Sequence, residues 1–89
     1  MPGWRVEFDR SAARDLRKLG PEAERAILRY LRERIVGSSD PRRFGHALMG
    51  DRKGLWRYRV GDYRIVASIE DGHFVVLVVA VGHRREVYR

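Results

Sequence analysis

Apolar and polar positions along the chain change period more than once, and each change marks an element. In WRVEF (residues 4–8), Trp4, Val6 and Phe8 alternate with Arg5 and Glu7, the two-residue repeat of a half-buried strand. Asp9 can then cap a short helix whose apolar side is Ala12, Ala13, Leu16 and Leu19, closed by Gly20. Pro21 suits the first turn of a second helix, in which Ala23, Ala26, Ile27, Tyr30, Leu31 and Ile35 recur at helical spacing before Gly37 ends it. The two are expected to form an antiparallel hairpin. SSDPRRFGHALMGDRKG (residues 38–54) then breaks all periodicity, and connections of that length inside small domains are often functional.

Strand patterning returns at LWRYRVGDYRIV (residues 55–66). A two-residue turn at Gly61–Asp62 sets Val60 opposite Tyr63, Arg59 opposite Arg64 and Arg57 opposite Val66. Three arginines then share one face, while Trp56, Tyr58, Tyr63, Ile65 and Ala67 share the other. A second turn is expected at Asp71–Gly72, a dipeptide favoured in two-residue hairpins. The last strand, FVVLVVAV (residues 74–81), is apolar at every position, so it is expected inside the sheet with both faces covered. The Arg64 strand would lie on one side of it and the amino-terminal strand on the other.

The fold class that follows is α+β, with residues 1–89 as a single domain. It has an N-terminal strand, a helical hairpin and a three-stranded antiparallel meander, giving a four-stranded sheet with both helices on one face. Arg57, Arg59 and Arg64 occupy the opposite face. Like charges directly across a strand pair are destabilising, so the arrangement calls for a negatively charged partner.

Composition sharpens that expectation. The 89 residues include 19 Lys plus Arg against 12 Asp plus Glu, a formal net charge of +7. The excess falls mainly after residue 41, where the aromatics Phe44, Trp56, Tyr58, Tyr63 and Tyr88 also lie. Basic surface interleaved with rings suits phosphates and bases, although an acidic protein would satisfy the charge equally well. Cysteine is absent, which excludes a disulfide framework and a thiolate nucleophile, and His46, His73 and His83 lack metal-ligand spacing. No metal or other cofactor is expected. No segment reads as a membrane span or a signal peptide, so a cytoplasmic location is expected and no membrane partner.

The tail, GHRREVYR (residues 82–89), gathers an imidazole, three arginines, a carboxylate and a phenol at the end of an apolar strand. Two-residue alternation would put His83 on the arginine face and Arg84 on the reverse one. A bulge at Gly82 would exchange them.

GLWRYRVGDYRIV, the apolar strand and VGHRREVYR together resemble the RelE branch of the RelE/ParE toxin superfamily, and FDRSAARDLRKLG and the LMGDRKG loop fit the same family. The resemblance spans essentially the whole chain. It implies the toxin of a toxin–antitoxin pair, cleaving messenger RNA on the ribosome without a metal ion and so inhibiting translation. Partners implied are messenger RNA, the ribosome and a cognate RelB-like antitoxin whose acidic segment binds the toxin in a hetero-oligomer. ParE-like members share much of the backbone pattern and poison DNA gyrase instead, and a non-enzymatic nucleic-acid-binding module is a third reading.

RNA cleavage of this kind needs the ribose 2′-hydroxyl activated, the charge on phosphorus stabilised and the 5′-oxygen protonated. The products would be a 2′,3′-cyclic phosphate and a 5′-hydroxyl. By the resemblance, Arg64 and Arg84 match phosphate-stabilising arginines, the latter also aiding the leaving group. Tyr88 matches a tyrosine that stacks on a base or orients the nucleophile. Arg57, Arg59 and Lys53 are the RNA-binding candidates. Some relatives carry lysine where this chain has Arg57 and Arg59, and arginine effectively cannot lose its proton as a lysine base can. His83 is then the conventional candidate for the base, with Tyr88 or a purely electrostatic mechanism as alternatives.

Overall fold

The computed structural model describes residues 3–85. Strand β1 (Arg5–Phe8) leads directly into helix α1 (Arg10–Lys18). Asp9 makes the junction, its Oδ1 accepting a hydrogen bond from the Ala12 amide at 2.8 Å. Gly20, at φ 95°, separates α1 from α2 (Pro21–Leu31), and α2 continues as a π-helical turn over Arg32–Val36. Ala12, Leu16, Ala23, Ile27, Leu31 and Ile35 are buried as the helical spacing predicts. Ala26, expected on the same side, is exposed.

Residues 38–54 are more structured than their composition suggests. Pro41–Phe44 forms a 3-10 turn, His46–Ala47 a short strand β2, and Gly50–Arg52 another 3-10 turn. β3 (Leu55–Val60), β4 (Tyr63–Glu70) and β5 (Val75–His83) complete a sheet of order β1-β5-β4-β3-β2. The sheet therefore has five strands where the sequence predicts four. Two residues are too few to carry a repeat, and β2 exists through long-range anchoring. The Tyr58 hydroxyl donates to the Pro41 carbonyl at 2.8 Å, Pro41 is buried, and the Leu48 amide donates to the Leu55 carbonyl. Gly45 lets the chain through: a Cβ there would stand 3.0 Å from Tyr58 Cε1 and 3.1 Å from the Arg57 carbonyl.

β5 lies inside the sheet, parallel to β1 and antiparallel to β4, as expected. Its helix-side residues Val76, Val78 and Val81 join Trp4, Tyr58, Ile65 and Ala67 in the core. Its other face is only partly covered, with Leu77 and Ala80 half-exposed. The hairpin turn before it also differs from expectation. Asp71–His73 forms a 3-10 turn and Phe74 takes a left-handed conformation at φ 54°, so four residues rather than two connect Glu70 to Val75. Contacts outside the hairpin decide this: the Phe74 ring meets Trp4 edge-on at 5.4 Å, and its carbonyl accepts from the Arg5 amide.

Asp71 is also half of a clamp. Arg42 Nη1 and Nη2 grip its two carboxylate oxygens at 3.0 and 2.6 Å, and the guanidinium lies over the Trp56 ring. The bond holds the Asp71 carboxyl below its ordinary value and raises Arg42. Because the folded-state value of Asp71 is depressed, the clamp contributes fully above the unfolded value near 3.8 and is lost as pH falls through the folded one. In a double-mutant cycle of Arg42→Ala and Asp71→Asn read by urea denaturation, coupling is expected at pH 7 and should diminish as the pH is lowered below 3.8. Coupling that persists unchanged in acid would contradict the assignment.

Candidate nucleic-acid interface

The register of the β3–β4 hairpin is the predicted one: Val60 faces Tyr63, Arg59 faces Arg64 and Arg57 faces Val66. Gly61, at φ 58°, supplies the positive angle that a two-residue turn with glycine first requires. Trp56, Tyr58, Val60, Tyr63, Ile65 and Ala67 pack on the helix side. Arg57, Arg59 and Arg64 point the other way, onto the open face.

These three arginines differ in their surroundings. Arg59 is exposed. Arg64 is only 6% exposed, and its Nη1 donates to the Gly61 and Tyr63 carbonyls at 2.8 Å each. Those bonds fold the guanidinium against the turn. Arg57 is half-buried, and its Nε is buried without a hydrogen-bond partner. Among the described residues no carboxylate forms a salt bridge with any of the three. Among the described residues this face thus presents a buried unpaired donor on Arg57 and an exposed cation on Arg59, with Arg64 bonded to backbone carbonyls of the turn.

Arg84 joins this group at the turn. Its amide donates to the Asp62 carbonyl at 2.8 Å and its Nε stands 3.9 Å from Asp62 Oδ1. Arg64 and Arg84 thus converge on Gly61–Asp62 from neighbouring strands. Lys53 does not join them; it follows the Gly50–Arg52 turn, at the end of the hairpin far from Gly61. Tyr88 lies outside the described residues.

His83 departs from the expected placement. It pairs with Tyr63, its ring 6.3 Å from that ring and perpendicular to it, and its Nδ1 accepts from the Arg85 amide. That is the helix-covered side, so His83 is not on the arginine face. The cause is a bulge, and it is not at Gly82, which pairs with Arg64. Val66 pairs with Ala80 but Ala67 with Val78, leaving Val79 as the extra residue. One extra residue reverses the parity of everything after it.

Two further placements bear on proton transfer. Tyr58 is fully buried, and burial pushes its hydroxyl well above the usual tyrosine range, so it remains a donor to Pro41. His46, which the spacing of the histidines passes over, lies on β2 directly opposite Arg57 and therefore on the arginine face. Nothing in the local pattern marks β2; only its pairing with β3 places His46 there.

Comparison with known proteins gives a consistent picture. Residues 6–88 match the family model described as the ParE toxin of the type II toxin–antitoxin system parDE. The chain is 34% identical to Toxin RelE of Mycobacterium tuberculosis over 97% of its own length and 87% of that protein's. It is also 34% identical to Toxin RelG of the same organism, over 94% of each. Among solved structures, the toxin–antitoxin complex RelBE2 of Mycobacterium tuberculosis contains a chain that superposes with a TM-score of 0.80 at 33% identity, covering 97% of both. A chain of the archaeal RelE–RelB complex of Pyrococcus horikoshii gives 0.69 at 25%, covering 98% of this chain and 100% of that one.

The opposed pair Arg59–Arg64 should weaken the free protein. Arg59→Gln is expected to stabilise it by roughly 0.2–1 kcal/mol in low-salt urea denaturation, with the gain shrinking as added salt screens the repulsion. A loss of stability at low salt would show that Arg59 is compensated within the chain.

Proposed function

The chain belongs to the ParE/RelE family as a RelE-type toxin of a toxin–antitoxin system, and from that premise we propose that it cleaves messenger RNA on the ribosome without a metal ion. The 2′-hydroxyl attacks the adjacent phosphorus, giving a 2′,3′-cyclic phosphate and a 5′-hydroxyl. The observation that carries this reading is the open-face cluster of Arg57, Arg59 and Arg64, paired with no carboxylate among the described residues, with a buried unpaired donor on Arg57. Guanidinium groups grip phosphate oxygens in a planar fork and stay charged as negative charge builds on phosphorus.

Arg64 is the proposed principal stabiliser of that charge, since its bonds to the turn hold it in place before substrate arrives. Arg84 acts beside it on the phosphate and the leaving oxygen, Arg57 and Arg59 grip flanking phosphates, and Lys53 contacts RNA further along the strand. Tyr88 is proposed to stack on a base or orient the nucleophile.

The partner is a cognate antitoxin that lays an acidic segment over the arginine face and orders as it binds. A largely apolar groove lined by Val6, Phe8, Leu28, Leu31, Val36 and the cation Arg32, beside edge strand β1, offers the helical part of such a segment a second foothold. No described helix is long and apolar enough to cross a membrane, and the proposed site of action is the cytoplasm. The ParE description of the matching family model keeps a second reading in view, inhibition of DNA gyrase by binding alone.

A cell-free translation extract separates the two. Wild-type protein is expected to create new messenger RNA 5′ ends within codons, seen by primer extension and dependent on ribosomes. Arg64→Ala should lower their rate of appearance by about 10²–10³-fold, the usual effect of removing one charge-stabilising donor. Intact messenger RNA and undisturbed translation, with loss of supercoiling in a gyrase assay, would establish the second reading instead.

A further inference from the structure

A second group of unpaired cations lies behind the sheet. A cleft of about 410 Å³ opens where the π-helical turn of Arg32–Val36 meets the 3-10 turn of Pro41–Phe44. Arg32 and Arg34 come from the first turn, Arg43 from the second, and Ser38 and Ser39 from the chain between them. The volume is that of a small-molecule site. Phe44 lines the cleft and packs inward against the core, so the cleft is on the helix side of the sheet, away from Arg57, Arg59 and Arg64.

Phe44 gathers the cations. The guanidinium carbons of Arg34 and Arg43 stand 5.7 and 5.8 Å from the centre of its ring, so one ring holds two like charges that would otherwise repel each other apart. Neither is occupied in capping the helix end: the Ser38 amide donates to the Ile35 carbonyl at 3.0 Å and the Trp4 amide to the Val36 carbonyl at 3.1 Å. Among the described residues, Arg32, Arg34 and Arg43 form no salt bridge and their side chains donate no hydrogen bond. Glu33 is the carboxylate that lines the cleft, one against three guanidinium groups. Asp40, the next acid along the chain, is paired with Arg42 instead.

We propose that this cleft is a binding site for a pyrophosphate group, such as a nucleoside diphosphate or an inorganic polyphosphate carries. The assignment stands apart from the RNA-cleavage reading. Planar guanidinium forks match phosphate oxygens bidentately, and Ser38 and Ser39 offer hydroxyl donors to the oxygens that remain. The Ser38 Oγ accepts from the Asp40 amide at 3.1 Å, which leaves its own proton free to donate. Two linked phosphates carry more than one negative charge, which suits three cations converging on one spot; a single backbone phosphodiester carries only one. Pyrophosphate bridging Arg34 and Arg43 ties the end of α2 to the segment that leads into β2, and so stabilises the fold by mass action.

Titration of the isotope-labelled protein with inorganic pyrophosphate, followed by NMR, tests this. The amide signals of Ser38, Ser39, Arg43 and Phe44 and the Nε–H signals of Arg34 and Arg43 should move together on one saturable curve, half-complete below about 1 mM. Arg34 and Arg43 are exposed, so Arg34→Gln and Arg43→Gln should keep the wild-type spectrum elsewhere, and each should weaken binding about tenfold. Glu33→Gln should tighten it, and Arg59→Gln, on the opposite face, should leave it unchanged. ADP titrated in parallel identifies the source: tighter binding than pyrophosphate points to a nucleotide, equal or weaker binding to an inorganic chain. Cleft signals that stay still while those of β3 and β4 move would put the pyrophosphate on the arginine face and overturn the proposal. So would a short RNA without a cleavable 2′-hydroxyl that moves the cleft signals at the concentrations pyrophosphate needs, because a phosphodiester surface would then account for the cations.

Discussion

The turn at Gly61–Asp62 fixes which residues of β3 meet which of β4, and that register sets Arg59 against Arg64 with Arg57 one row behind. A slip of one residue between β3 and β4 would put Arg64 on the opposite face from Arg57 and Arg59 and turn either Tyr58 or Ile65, both of which are fully buried, out of the core. The core therefore enforces the arginine face: burial of the apolar positions on one side determines where the charges stand on the other. The charges gain nothing from each other. Arg64 is compensated by backbone carbonyls of the turn it helped to build, and Arg57 retains an unpaired buried Nε. Stability comes from the helix side of the sheet, and the open face accepts repulsion that an anion can relieve.

The rest of the molecule is arranged around this hairpin. β5 brings Gly82 beside Arg64 and carries Arg84 to the Asp62 carbonyl, while β2 brings His46 beside Arg57. The segment containing β2 is tied at several points: Tyr58 to Pro41, Arg42 to Asp71, Leu48 to Leu55. A segment so anchored presents its side chains in fixed positions.

How much of this was legible depends on whether the deciding interaction was local. The hairpin register, the Asp9 cap, the helix faces apart from Ala26 and the place of β5 within the sheet follow from alternation, turn chemistry and an all-apolar run, and they hold. The bulge at Val79 lies in an unbroken run of Val and Ala, where no polar residue marks the face, so alternation continued straight through it and put His83 on the wrong side. The Asp71–Gly72 dipeptide has the chemistry of a tight turn, but Phe74 is claimed by Trp4 and Arg5 from the other end of the chain. β2 is two residues long and owes its existence to β3, so neither the fifth strand nor the position of His46 could be read from periodicity. The shared face of Arg57, Arg59 and Arg64 was legible because they sit in a local hairpin; Lys53 stands apart because it precedes β3, at the end of the hairpin away from Gly61.

The central claim, that the open face is built to hold phosphates, is tested most directly by the salt dependence of binding to a short single-stranded RNA that lacks a cleavable 2′-hydroxyl. Each phosphate contact on a single strand contributes about −0.7 to the slope of log K against log salt concentration. The account predicts that Arg57→Gln, Arg59→Gln and Arg64→Gln each weaken binding and each reduce the slope by roughly that amount, with Lys53→Gln doing so less. Slopes and affinities unchanged by all three arginine substitutions would contradict it.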